Sequence, residues 1–157
     1  MTLRLLALLL LLGSTTAAIA ETLSCPTLAT AVQVGNCPTE DELKYTFNGY
    51  CSDKARMYDK DNDACSDFQI YRRLKNKVAW EAGGGMFSAY LSCDLSASSI
   101  KSAEPESMTM RRQGKVALLV CRYGDNIEFT HRTRAECSVE GDGSCKPQSS
   151  SCRASCN

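Results

Sequence analysis

Several residues on which enzymes and metal centres commonly depend are scarce in this chain. It contains one histidine, one tryptophan and no Cys-x-x-Cys pair, and none of its asparagines begins an Asn-x-Ser/Thr sequon. A single histidine excludes the two-histidine motif of zinc enzymes, and the lack of Cys-x-x-Cys argues against a thioredoxin-like centre or a zinc ribbon. Without a sequon, N-glycosylation is not expected.

An excess of charge of one sign is also missing. The chain carries 18 basic and 18 acidic side chains, and residues 71–157 hold 13 basic and 9 acidic groups, which is below the density of a nucleic-acid-binding surface. After residue 20, no apolar run approaches the ~20 residues that a transmembrane helix needs. We therefore expect neither a nucleic-acid partner nor a membrane span, and the oligomeric state stays open.

The first twenty residues have the three parts of an export signal. Arg4 supplies the positive charge, residues 5–12 form an apolar run, and residues 18–20 match a small-x-small cleavage site. The apolar run is too short to act as a membrane anchor. The sequence therefore predicts a signal peptide over 1–20, cleavage before Glu21, and a secreted, extracellular mature protein.

Cysteine is the residue that the chain has in unusual number, with ten copies. In an exported chain, an even number of cysteines predicts disulfides rather than metal ligands. We expect five bridges, each worth about 3 kcal/mol for a loop of about fifteen residues, while their pairing stays open. The predicted disulfide cysteines are Cys25, Cys37, Cys51, Cys65, Cys93, Cys121, Cys137, Cys145, Cys152 and Cys156.

Strand patterns dominate the second half of the chain. Apolar and polar residues alternate over residues 87–95, and further strands are expected over 108–112, 115–123 and 127–135. The segment 115–121 is apolar on both faces, which is typical of a central strand covered on both sides. Together these strands predict an antiparallel meander. The expected fold is mainly β: a small antiparallel sheet domain with about five disulfides and one short helix as an option.

The segment 39–51 supports two predictions. Thr39 and Glu42 fit a capping box that begins a helix. Against this, apolar and polar residues alternate over 43–47, and the Asn-Gly pair at 48–49 favours a type I′ turn. Aromatic and β-branched residues are frequent here, so a β-hairpin is the structure that we expect.

Three other segments do not have the pattern of a single strand. Residues 59–67 are polar and are expected to form a loop, whereas 68–82 fit either a helix or a strand. The glycines at 83–85 end whichever is present. Residues 138–157 are almost without apolar side chains, so we divide the mature chain into a β domain over 21–137 and a cysteine-rich tail that is pinned to it.

Four aspartates form the one candidate metal site, a loop that binds Ca²⁺ through oxygen ligands. An EF-hand is rejected because Ala64 and Ile70 stand where that motif has glycine and glutamate. The alternative is a solvated acidic loop, and no other cofactor is expected. The candidate ligands are Asp59, Asp61, Asp63 and Asp67.

A basic set on the predicted strands is the candidate anion or ligand site. If strands 108–112, 115–123 and 127–135 are neighbours, several arginines share one face and suit an anion or a glycan sulfate. The alternative is a charged outer face that discourages pairing at the sheet edge. Lys115 and Arg122 belong to the wider set, and the patch itself consists of Arg111, Arg112, Arg132 and Arg134.

No residue is assigned a catalytic role. His131 lies in no nucleophile motif, and with every cysteine expected in a bridge there is no free thiol for it to activate. We interpret it as a strand histidine that is bonded locally or exposed. Trp80 either stacks on a ligand or fills the core, and we expect the core.

These observations favour a secreted binding or structural module that is not an enzyme, with a protein, a glycan or Ca²⁺ as its ligand. A secreted effector, such as an inhibitor, a toxin or a defence protein, is the alternative, and a small secreted hydrolase comes third. A flat basic or aromatic face would favour the module, and a protruding disulfide-locked loop would favour the inhibitor. A polar cleft that joins His131 to a carboxylate would favour the hydrolase.

Overall fold

The computed structural model describes residues 21–54, 62–124, 126–145 and 152–157, so the predicted signal peptide lies outside the described residues. The strands are β1 (Glu21–Ser24), β2 (Val32–Val34), β3 (Lys77–Ala82), β4 (Phe87–Ser92), β5 (Ser107–Gln113), β6 (Val116–Arg122), β7 (Glu128–Thr133), β8 (Cys137–Val139) and β9 (Arg153–Cys156). The helices are α1 (Glu40–Cys51), α2 (Asn62–Ser66), α3 (Phe68–Lys75) and α4 (Ala97–Lys101). No helix in this part of the chain has the length and apolar character needed to cross a membrane.

Two antiparallel sheets form the framework. The larger has the strand order β2-β3-β4-β7-β6-β5, and the smaller has the order β1-β9-β8. Strand accounts for 39% of the structure and helix for 25%, which confirms the mainly β prediction. The expected meander is present as β5-β6-β7. β4 pairs with β7 rather than with β5, and this crossing places β4 in the middle of the larger sheet.

The hydrophobic core lies between the two sheets. Phe87, Leu119 and Phe129 point inward from the larger sheet and are fully buried. Leu23 of β1 and Ala154 of β9 belong to the same buried cluster. Burying each phenylalanine contributes about 1.5–3 kcal/mol. The inward face of the larger sheet therefore forms one side of the hydrophobic core.

Two predictions concern this core directly. Trp80 is 3% exposed and points inward from β3, which confirms the core interpretation. β6 lies between β5 and β7, as expected of a central strand. The face of β6 that is turned away from the core is only partly covered, because Val116 and Leu118 on that face are partly exposed. The larger sheet thus has one packed face and one face that is partly open.

All ten cysteines are paired, so the prediction of five disulfides is confirmed. Cys25–Cys121 joins the end of β1 to β6 across a separation of 96 residues and so links the two sheets. In the chain-entropy model a closed loop of about 100 residues is worth about 4.7 kcal/mol, against about 3 kcal/mol for a short loop. The remaining pairs are Cys37–Cys93, Cys51–Cys65, Cys137–Cys156 and Cys145–Cys152.

The hairpin predicted over 39–51 is wrong, because α1 occupies this segment. Thr39 Oγ1 accepts a hydrogen bond from the backbone N–H of Glu42 at 3.2 Å. Glu42 Oε2 in turn accepts one from the backbone N–H of Thr39 at 2.7 Å. The capping box is therefore complete and begins a helix.

The apolar residues of α1 explain why the local alternation is misleading. Leu43, Phe47 and Tyr50 recur at helical spacing and lie on one side of the helix. The ring centroid of Phe47 is 5.6 Å from that of Phe68 and 5.3 Å from that of Tyr71, both on α3. Packing between the two helices thus outweighs the strand pattern.

Helices also occupy part of the segment between α1 and β3. α2 covers residues 62–66, so the loop predicted over 59–67 is wrong for those residues. α3 and β3 follow one another, so each alternative for 68–82 holds over one half of that segment. Asn76 separates them, and its backbone N–H donates to the carbonyl oxygen of Arg72 at 2.8 Å.

The C-terminal residues take part in the smaller sheet. β9 pairs with β1 on one side and with β8 on the other. Ala154 of β9 is fully buried, and the Cys137–Cys156 bridge holds β8 to β9. The division at residue 138 into a domain and a tail stays a prediction.

Candidate functional site

The candidate site is on the outer face of the larger sheet, which is the face turned away from the core. Cross-strand partners point to the same side of a sheet. Ser88 on β4 pairs with Thr130 on β7, and Tyr90 and Ser92 follow Ser88 at alternate positions. The central residues of the outer face are Lys77, Ser88, Tyr90, Ser92, Arg122, Glu128, Thr130 and Arg132.

An open depression of about 750 Å³ lies over β4 and β7 on the outer face. Tyr90 lines it and is 76% exposed. Tyrosine combines an apolar ring with a polar hydroxyl and is intermediate in burial, so a tyrosine exposed on a middle strand offers its ring to a ligand. The hydroxyl side chains of Ser88, Ser92 and Thr130 line the same depression. It therefore offers an aromatic surface bordered by hydrogen-bonding groups.

The depression carries more positive than negative charge. Four cationic residues and two carboxylates line it. Glu128 is 3.4 Å from Arg122 and 3.9 Å from Arg111, which leaves a net positive charge on these three residues. Among the residues that the structure describes, Lys77 and Arg132 form no ion pair. These two cations are available to an anion.

A network of hydrogen bonds holds one rim of the depression. Arg72 of α3 donates to the two carboxylate oxygens of Asp94 at 3.1 and 3.3 Å, and to Glu40 of α1 at 3.2 Å. The buried Asn76 also donates to Asp94, at 3.1 Å. The hydrogen bonds from Arg72 lower the pKa of Asp94 from its ordinary value. Exposed ion pairs contribute about 0–1 kcal/mol each, so the network mainly fixes positions.

The structure brings part of the predicted basic patch together. Arg111 and Arg132 pair with the same residue of β6, so they share the outer face at about 10 Å, which is two strand spacings. Arg134 lies beside Arg132 along a neighbouring hollow of about 380 Å³. Arg112 points to the other side and forms an ion pair with Glu136 at 3.8 Å. Three of the four predicted arginines therefore lie on one side of the sheet.

The predicted calcium ligands are only partly described. Asp59 and Asp61 lie outside the described residues, and Asp63 is in the first turn of α2. Asp67 caps α3, because its Oδ1 accepts a hydrogen bond from the backbone N–H of Gln69 at 2.8 Å. The calcium site stays a prediction. Within the described ranges, the single group of three potential metal ligands consists of bridged cysteines, Cys25, Cys145 and Cys152.

His131 belongs to the inner side of β7. Its Nδ1 is 2.8 Å from the carbonyl oxygen of Met86, and its ring centroid is 5.5 Å from that of Phe87. Of the two alternatives for His131, a strand histidine that is bonded locally or one that is exposed, the structure shows the first. Among the described residues, no carboxylate is bonded to it, so the structure shows no acid–base pair there.

The sequence identifies the strand that carries the site but not the site itself. Alternation over residues 87–95 already sets Ser88, Tyr90 and Ser92 on the polar side of a strand. The pairing of β4 with β7, which brings Thr130 beside them, has no local signal. A tyrosine between two serines on a polar strand face is the one available clue.

Comparison of this chain with models of protein families, with curated proteins and with solved structures finds no match.

Proposed function

We propose that this protein is a secreted binding module that holds an anionic glycan on the outer face of its larger sheet. The observation that carries the proposal is Tyr90, which is 76% exposed in the same depression as Arg132 and Lys77. An aromatic ring, hydroxyl groups and available cations on one surface match the three kinds of group that such a glycan presents.

Each group of the outer face has a counterpart on an acidic sugar. The apolar side of a sugar ring stacks on the ring of Tyr90, whose hydroxyl stays in water. The hydroxyls of Ser88 and Thr130 can both donate and accept hydrogen bonds, as sugar hydroxyls do, whereas the Ser92 hydroxyl is already bonded to Asp94. The planar guanidinium of Arg132 presents a fork of donors that fits the oxygens of a sulfate or a carboxylate.

An extended peptide fits this surface less well than a glycan. A peptide that adds as a strand needs a run of unpaired backbone groups at a sheet edge, whereas β4 is paired with β3 along its whole length and meets β7 at Ser88 and Thr130. Grooves that take apolar peptide side chains are themselves apolar, whereas most residues around Tyr90 are polar or charged. A glycan needs neither feature, so it is the ligand class that we favour.

Secretion and the lack of catalysis are part of the proposal. The signal-like segment 1–20 and the five disulfides support an oxidising, extracellular location. We do not propose a hydrolase, because the single histidine is bonded to backbone on the inner side of the sheet. The outer face is instead the broad polar and aromatic surface that suits binding.

Calorimetric titration with a heparin octasaccharide, used as a sulfated probe, tests this function. We expect the wild-type protein to bind it and Tyr90→Ala to raise Kd about tenfold, which equals about 1.4 kcal/mol. Tyr45→Ala is the matched control, because it removes an equally exposed tyrosine from α1, and it should leave Kd unchanged.

Poly-glutamate serves as the anionic peptide probe in the same titrations. Tighter binding of poly-glutamate than of the octasaccharide would reject the glycan as ligand. Equal losses for the two tyrosine variants, or no octasaccharide binding by the wild type, would reject the outer face as its site.

A further inference from the structure

Three sulfur atoms from two different disulfides lie together where β1 meets β9. The Sγ atoms of Cys25, Cys145 and Cys152 are all within 4.8 Å of one another. Cys25 is bonded to Cys121, and Cys145 is bonded to Cys152. The backbone N–H of Cys25 donates to the carbonyl oxygen of Cys152 at 3.1 Å, so these two residues stand opposite each other at the end of the β1–β9 pair.

We propose that these two bridges form a thiol–disulfide exchange site, in which Cys152 attacks Cys25 once the Cys145–Cys152 bond is opened by a small dissolved thiol. In the first step the thiolate of that co-reactant bonds to Cys145 Sγ, and Cys152 leaves as a thiolate. In the second step Cys152 Sγ bonds to Cys25 Sγ, and the Cys25–Cys121 bond breaks. Cys121 leaves as a thiolate and takes a proton from water. The second step exchanges one disulfide for another and needs no oxidant or reductant.

Burial sets the order of the two steps. Cys145 is partly exposed, whereas Cys152 is 4% exposed and Cys121 is fully buried. A dissolved thiol therefore reaches Cys145 before it reaches its partner, and the sulfur that it releases is the sheltered one. Because Cys152 already lies beside Cys25, the second step is intramolecular and benefits from proximity.

The exchange changes which parts of the fold are linked. Cys25–Cys121 connects the end of β1 to β6 in the larger sheet. A Cys25–Cys152 bridge would lie at the end of the β1–β9 pair, within the smaller sheet. That sheet already accommodates a bridge between directly opposed residues, Cys137 and Cys156. Exchange therefore removes the disulfide that joins the two sheets, so that their shared core and the chain connections hold them together.

The variant Cys145→Ser tests the second step without a reductant, because it leaves Cys152 as a thiol beside an intact bridge. The folded Cys145→Ser protein is incubated at pH 6 or pH 8. It is then unfolded rapidly and labelled with N-ethylmaleimide. Mass spectrometry maps the label and the bridges. We expect label on Cys121 and a peptide joined through Cys25–Cys152, formed at least about tenfold faster at pH 8 because the thiolate is the nucleophile.

Cys51→Ser is the matched control, since it leaves Cys65 as a thiol with no group of three cysteines around it within the described residues. Its label should stay on Cys65. If Cys145→Ser does not fold, wild-type protein treated with limiting glutathione gives the same test, with glutathione expected on Cys145 and a free thiol on Cys121. Label confined to Cys152 at both pH values would overturn the proposal, and so would equal rearrangement in Cys51→Ser.

Discussion

Arg111 and Arg132 point to the same side of the larger sheet because each of them pairs with Leu118, which lies between them on β6. Arg112 follows Arg111 directly but points to the other side, where it meets Glu136. Strand alternation therefore places two arginines that are adjacent in sequence on different surfaces. Arg112→Ala and Arg132→Ala therefore make the same change of charge on opposite faces of the sheet.

We predict that Arg132→Ala raises the Kd of the heparin octasaccharide about tenfold at low salt, whereas Arg112→Ala leaves it unchanged. The loss should shrink as salt is added, because charges are screened beyond ~10 Å at 0.1 M salt and beyond ~3 Å at 1 M. Titrations at two salt concentrations measure both effects. Equal losses for the two variants would mean that net charge, and not the outer face, governs binding.

Acid should weaken the network at the rim of the depression. Hydrogen bonds from Arg72 lower the pKa of Asp94, so folding favours its carboxylate form. That stabilisation is present above the unfolded pKa of about 3.9 and is lost as pH falls through the lower folded value. Between pH 5 and pH 2 we expect the wild type to lose stability relative to Asp94→Asn. The difference should stay below about 1 kcal/mol, because the Asp94 side chain is 56% exposed.

Urea unfolding at each pH measures this difference, with Glu136→Gln as the control. The Glu136 carboxylate is 84% exposed and 3.8 Å from Arg112, so its removal should change the pH profile less. A wild-type profile parallel to that of Asp94→Asn would show that ionisation of Asp94 does not contribute to stability.

The parts of this fold that depend on local patterns follow from the sequence, and those that depend on distant pairing do not. The apolar run over 115–121 is enough to find β6, and alternation is enough to find β4 and β7, because one face of each of those strands packs on the core. Alternation gives the wrong prediction over 39–51, because the residues that Phe47 packs against are on α3, in a different segment of the sequence. Prediction of the candidate site from the sequence fails for the same reason. Ser88 pairs with Thr130 although the β5–β6 hairpin lies between them in the sequence.

Removing the cap of α1 should destabilise the protein. Thr39→Ala deletes the hydroxyl that accepts from the N–H of Glu42, and such changes cost about 1 kcal/mol. Thr46→Ala is the control, because Thr46 lies within α1 and its hydroxyl donates to a carbonyl oxygen of the preceding turn at 2.8 Å. Alanine is the better helix former there, so stability should hold or rise slightly. Urea midpoints followed by circular dichroism compare the two, and equal losses would contradict the capping role.

Alanine substitutions at two glycines should have opposite effects, because their surroundings differ. Gly143 has a φ of +74°, and an added Cβ there would collide with the carbonyl oxygen of Met108 on β5. The collision is with a backbone atom, which cannot rotate away as a side chain can. The N–H of Met108 also donates to the Gly143 carbonyl oxygen at 2.7 Å, so the segment around Gly143 would have to move away from β5 to remove the collision. Gly143→Ala should therefore lower the free energy of unfolding by about 1–3 kcal/mol.

Gly49 is the counterpart, since it lies within α1 and an added Cβ meets nothing within 4 Å. Gly49→Ala should raise the free energy of unfolding by about 0.5–1 kcal/mol, because alanine restricts the unfolded chain and favours helix. Urea unfolding of both variants in one buffer checks the pair. A neutral Gly143→Ala would mean that the chain around residue 143 does not hold the edge of β5, since only a segment free to shift can absorb that clash.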